Sequence, residues 1–202
     1  MAEEIAAQGI RDRRVLAAVR EVPRHLFVPR SSQHQAYADR PLSIGHGQTI
    51  SQPYIVALMT QLARPGPSDR ALEVGIGSGY QAAVLSRLVS HVYAIEIVAP
   101  LARAAEQRLR DLGYGNVTVR AGDGYTGWPD EAPFDVIIVA AAPDHVPAPL
   151  VAQLKAGGRL VIPVGPSTPY QELQLIETDS AGEKTNTTVV ERVRFVPFVR
   201  PR

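Results

Sequence analysis

Cysteine is absent from the 202-residue chain, which excludes disulfides, thiol nucleophiles and thiolate metal sites. Lysine is scarce. Lys155 and Lys184 are the only two, so no glycine-rich phosphate loop here carries its usual lysine. The other basic residues are arginines scattered along the chain, and the net charge is +1. A balance so close to neutral argues against a nucleic-acid or anionic-membrane footprint. No apolar run approaches the roughly 20 residues of a membrane span. The opening "MAEEIAAQGIRDRR" is acidic and amphipathic, unlike a signal peptide, so a cytoplasmic location is expected. The five histidines, His25, His34, His46, His91 and His145, fall at no metal-binding spacing. Neither a metal site nor a serine-histidine triad is expected.

What is present suits one domain. Hydrophobic residues make up 45%, enough for a proper core. Residues 1–64 read as N-terminal helices and loops. Apolar spacing through "EEIAAQGIRDRRVLAAVREV" predicts one helix, or two broken near Gly9. Pro23 and Pro29 predict an extended, irregular "PRHLFVPR". Residues 31–52 read as loop, and Pro53 as the first turn of a helix "PYIVALMTQLA".

Residues 70–164 alternate strand and helix. "RALEV", "HVYAIEI", "NVTVRAG", "FDVIIVAAA" and "RLVIPVG" read as strands, and "FDVIIVAAA" is apolar on both faces, as a central parallel strand should be. "YQAAVLSRLV", "APLARAAEQRLRDLG" and "VPAPLVAQLKAGG" read as the intervening helices. The pattern predicts a doubly wound, Rossmann-like α/β sheet with ligands beyond its carboxyl strand ends. In residues 165–202, "QELQLIET" and "TVVERVRFVPFV" have no helix between them and predict a closing antiparallel pair. "DSAGEKTNTT" reads as the polar loop joining them. Phe195, Val196 and Pro197 form either an ordinary core strand or a wall of a peptide cleft.

"LEVGIGSGY" places Gly75, Gly77 and Gly79 directly after the first strand of the sheet. Glycines there permit a sharp turn and close backbone approach to a ligand. A dinucleotide fingerprint needs its third glycine where Tyr80 stands. Glu96, at the end of the second strand, can accept from two ribose hydroxyls. Asp123, in "AGDGY" after the third strand, can reach an adenine amino group. Glu73, just before the turn, can assist. Together these describe a pocket for an adenosine with an amino-acid tail, S-adenosylmethionine. The alternatives are a plain strand-to-helix turn, a solvated Glu96 and an Asx turn at Asp123.

Residues 45–53, "GHGQTISQP", gather backbone and side-chain donors with little charge. With "VPRHLFVP", "LEVGIGSGYQAAVLSRL", "GDGYTGWPDEAPFDVIIVAAAP", "LKAGGRLVIPVG" and "VRFVPFV", this segment resembles the protein-L-isoaspartate O-methyltransferases, and the likeness spans nearly the whole chain. The resemblance implies a single class I methyltransferase domain over residues 1–202. It implies Ser51 as the active-site residue, with Gln48, Thr49 and Ile50 lining the cleft. It implies cofactor contacts at Gly75, Gly77, Glu96, Asp123 and Gly124. S-adenosylmethionine would be the methyl donor, S-adenosylhomocysteine its product, and isoaspartyl peptides and proteins the substrates of a monomer that needs no metal. Ile76 and His46 depart from the family's familiar residues, and neither touches Ser51. Ser51 can also cap the helix at Pro53, a role compatible with the first. Rival readings are a methyltransferase for nucleic acid or small molecules, a branch esterifying ordinary aspartate, a cofactor sensor and a dehydrogenase.

Overall fold

A computed structural model describes residues 1–166 and 168–200. The N-terminal pattern resolves into two helices, α1 (Ala2–Ala7) and α2 (Arg13–Glu21). Asp12 caps α2 by accepting from the Arg14 N–H at 2.8 Å. The proline-flanked segment is not extended. It coils into two short 3₁₀ turns, Arg24–Phe27 and Arg30–Gln35, each starting directly after a proline. Residues 31–52 contain more than loop. β1 (Leu42–Gly45) and β2 (Gln48–Ile50) form an antiparallel hairpin. His46 and Gly47 both take positive φ at its turn, the geometry that suits the twist of a tight hairpin. Helix α3 (Pro53–Ala63) begins at its proline as expected.

Seven strands form the main sheet in the order β5-β4-β3-β6-β7-β8-β9. β3 (Arg70–Val74), β4 (His91–Glu96), β5 (Val117–Ala121), β6 (Phe134–Val139) and β7 (Leu154–Val164) run parallel. β8 (Gln171–Thr178) and β9 (Thr185–Val193) close it antiparallel. The helices between are α4 (Tyr80–Ser86), α5 (Ala99–Asp111) and α6 (Ala148–Ala152). Helix α6 is shorter than its sequence suggests. "LKAGG" belongs to β7, where Gly158 lies so close to the Lys155 carbonyl that a Cβ would sit 2.7 Å from it. That glycine serves a close backbone approach within a strand, not a helix stop.

Period-two alternation sends Ala71, Val136, Ile138 and Val161 to one face, under α2, α3 and α4. Leu72, Val74, Ile137, Leu160 and Ile162 face the other way, toward Trp128 and Leu150. The strand order reverses beside β3, so its carboxyl end and that of β6 open a crevice between them. Among the described residues no helix is long and apolar enough to cross a membrane.

Candidate active site

That crevice holds an open cavity of about 860 Å³, counted with the solvent space at its mouth. Gly75, Ile76, Gly77 and Ser78 form one wall, with Gly75 and Gly77 at φ of 87° and 51°. The turn is locked by its own hydrogen bonds. Gly75 and Ile76 donate to the Ile95 carbonyl at 2.8 and 3.2 Å, and Gly79 donates to Ile76 at 2.8 Å. Gly79 packs under Leu109 as the residue before α4 and lies outside the lining.

Glu96 is buried at the end of β4. One oxygen accepts from the Gly77 N–H and the other from the Val98 N–H, each at 2.9 Å. Both contacts hold the carboxylate at the cavity wall and leave it further acceptor capacity. Glu73 is fully buried in the same wall, and its Oε2 has no hydrogen-bond partner among the described residues. Burial, together with the charge of Glu96, lifts its carboxyl well above the usual range. Gly124 lines the cavity from the turn after β5, and a Cβ there would fall 2.3 Å from Val74 Cγ1. Asp123 stands just behind it. Its carboxylate accepts from the Tyr125 N–H at 2.9 Å and meets Arg200 Nε at 3.3 Å.

The hairpin supplies the opposite wall through Gln48, Thr49, Ile50 and Ser51. Ser51 does not cap α3, and its hydroxyl has no protein hydrogen bond among the described residues. Asp39 takes that role, accepting from the Tyr54 N–H at 2.8 Å and from Gln8 Nε2 at 3.1 Å. Spacing along the chain carried no sign of Asp39, because the contact joins separate loops. Val56 and Met59 of α3, Tyr80 of α4 and Val196 also line the cavity. Their signals merged with those of ordinary core residues.

A second cleft of about 1130 Å³ adjoins the first. Thr49, Ser51, Ala140 and Val196 line both. Phe195 and Val196 lie beyond β9, not in a core strand. Gln171 grips Phe195 through both its backbone N–H and carbonyl, and the Ala142 N–H donates to the Val196 carbonyl at 2.9 Å. Tyr54 donates to Glu191 at 3.2 Å on the same cleft, and burial raises its hydroxyl pKa, with the charge of Glu191 adding to the shift. No group of three His, Asp or Glu placed to hold a metal occurs among the described residues.

Known proteins resemble this chain in sequence and fold. A family model described as "Protein-L-isoaspartate(D-aspartate) O-methyltransferase (PCMT)" matches residues 1–202. A protein-L-isoaspartate O-methyltransferase 2 of Polaromonas sp. is 56% identical over 95% of this chain and 90% of its own length. A protein-L-isoaspartate O-methyltransferase of Opitutus terrae is 54% identical over 99% of this chain and 85% of its own. A Plasmodium falciparum crystal structure, described as a beta-aspartate methyltransferase (PCMT) in complex with S-adenosyl-L-homocysteine, aligns with TM-score 0.85 at 26% identity. It covers 99% of this chain and 97% of that one. A second solved protein-L-isoaspartate O-methyltransferase gives TM-score 0.83 at 30% identity over 98% of this chain, which spans 65% of that longer one.

Proposed function

The chain belongs to the protein-L-isoaspartate(D-aspartate) O-methyltransferase family, and on that premise we propose that Ser51 holds the acceptor carboxylate at the point where the two cavities meet. The reaction methylates the α-carboxylate of L-isoaspartyl residues with S-adenosylmethionine. The ester then collapses without the enzyme to a succinimide, which opens partly to normal aspartate. The observation that carries the role of Ser51 is its position: it lines both cavities, and its hydroxyl has no protein hydrogen bond among the described residues.

The residues present fit the cofactor. Glu73 offers an amino group a buried Oε2 that has no partner among the described residues. Glu96 retains lone pairs for ribose hydroxyls, and Gly124 leaves room that a side chain would fill. Asp123 reaches an adenine amino group only by sharing or releasing Arg200. Gly79 serves the turn from behind. When bound, S-adenosylmethionine supplies a sulfonium-activated methyl and becomes S-adenosylhomocysteine.

The acceptor asks little of the protein. A carboxylate with an ordinary pKa near about 4 is ionised at neutral pH, so no general base is needed. Positioning and exclusion of water remain. Neutral donors suit that task, because a cation against the nucleophilic oxygen would reduce its reactivity. Ser51 and Thr49 offer hydroxyls and Gln48 an amide. Ile50, Val56 and Met59 keep the cavity floor apolar. We read the protein as a monomer acting on isoaspartyl proteins and peptides.

The test uses methyl-labelled S-adenosylmethionine and two peptides that differ only in one L-isoaspartyl or L-aspartyl residue. Base-labile label on the isoaspartyl peptide alone is the expected result. Equal label on both peptides would overturn the specificity, and label on neither, with cofactor still bound, would overturn the reaction.

A further inference from the structure

The second cleft carries more positive than negative charge. Its ionisable lining beyond the tyrosines is Glu191, Arg192 and Arg194. Glu191 already accepts the Tyr54 hydroxyl at 3.2 Å. The guanidinium of Arg192 lies 4.2 Å from the centroid of the Tyr170 ring and forms no ion pair among the described residues. Glu172 is its cross-strand partner, yet the two form no ion pair. Arg194 Nε donates to the Pro169 carbonyl at 3.2 Å and likewise has no carboxylate. Two arginines thus line a cleft that shares Ser51 with the methyl-transfer site, and neither pairs with a carboxylate among the described residues.

We propose that Arg192 and Arg194 are specificity-determining residues that favour isoaspartyl sites flanked, within two residues, by an aspartate or glutamate side chain. The inference rests on the methyl-transfer reading above and adds the sequence context of the substrate. Arginine suits the role, since its planar donors meet a carboxylate in pairs, and stacking on Tyr170 limits how many conformations Arg192 must lose on binding. The arginines act on a neighbouring side chain, while the neutral hairpin donors handle the reacting carboxylate. The two tasks therefore do not conflict. Both arginines are exposed, so the preference is modest and sensitive to salt.

The experiment compares isoaspartyl peptides with Glu, Gln or Lys at each of the two positions before and after the isoaspartyl residue. At low ionic strength, about 0.02 M, Glu in at least one position is expected to raise kcat/KM about three- to tenfold over Gln through KM, with Lys lower still. At about 0.5 M salt the difference should shrink toward unity. The R192Q/R194Q variant should treat Glu and Gln peptides alike, and its thermal midpoint checks that it is folded. Equal kcat/KM for all flanking residues at low salt overturns the inference and leaves the methyl-transfer reading intact. A preference for Glu that survives in R192Q/R194Q also overturns it. Methylation of none of the peptides, with cofactor bound, would instead sink the underlying reading and this inference with it.

Discussion

Glu73 and Glu96 share one wall of the first cavity, and among the described residues only Glu96 is held by hydrogen bonds. Glu96 takes two backbone N–H groups, while Glu73 Oε2 takes none. The protein therefore keeps one carboxylate fixed and one buried group poised for a cation that it does not itself provide.

A pH dependence follows from that asymmetry. The folded-state pKa of Glu73 lies well above its ordinary 4.5. Between those two values the folded chain holds a proton that the unfolded chain releases. Stability from this group is thus full below about pH 4.5 and declines as pH rises through the folded value. Glu73→Gln should match the wild type near pH 4.5 and melt at a higher temperature than wild type at pH 7 to 8, without cofactor. If Glu73 accepts the amino end of S-adenosylmethionine as proposed, the same substitution should weaken its binding about tenfold or more, since that acceptor loses its charge. Thermal melts across pH and calorimetric titration read the two effects. Melting curves that coincide at every pH would mean that Glu73 is not held neutral.

Ser51→Ala separates chemistry from folding. The hydroxyl makes no hydrogen bond among the described residues, so stability should change by less than about 0.5 kcal/mol. A lost hydrogen bond to a charged acceptor should lower kcat/KM for an isoaspartyl peptide about 10- to 100-fold. Cofactor affinity should stay near that of the wild type. Steady-state kinetics beside calorimetry checks this, and full turnover in the variant would remove Ser51 from the site.

Asp39 should behave in the opposite way. It caps α3 from a separate loop through the Tyr54 N–H, directly behind the Ser51 segment. Asp39→Ala should cost about 1 kcal/mol of stability and lower peptide turnover together. Asp39→Asn keeps an acceptor and should restore most of both. Chemical denaturation and peptide kinetics on the pair provide the measurement. Loss in Asn equal to that in Ala would assign the effect to charge, not to capping.

The sheet was readable because its signals are local. "FDVIIV" is apolar on both faces, and "GIGSG" follows a strand and opens a helix. The hairpin at Leu42–Ile50 was not readable as strands, because arms of four and three residues are too short to show alternation. Its glycine-flanked His46 was the available sign of a tight turn. In "LKAGG" a glycine pair marked a close strand approach and was read as a helix stop. In the site, Glu73, Gly75, Gly77, Glu96 and the hairpin stretch were legible as positions at strand ends and as a family motif. Asp39, Gln171 and the pairing of Asp123 with Arg200 were not, because each depends on contacts between segments that spacing does not link.

Gly124 offers the sharpest steric test of the cavity. A Cβ at this position would fall 2.3 Å from Val74 Cγ1, below any real contact. Val74 is buried at the end of β3, and its β-branched side chain has little rotamer freedom. Gly124→Ala must therefore displace either Val74 or the turn that carries Gly124, and both line the cavity. Overpacking of this kind costs about 1 to 3 kcal/mol. Cofactor affinity should fall about tenfold or more at the same time. Gly115 is the matching control: it has open space around it, so Gly115→Ala should be near neutral. Removing the obstacle gives a stricter check. In a double-mutant cycle, Val74→Ala should restore much of the affinity that Gly124→Ala loses, because the two changes act on the same few ångströms. Strictly additive losses would show that the turn tolerates a side chain, and that the glycine is there for another reason.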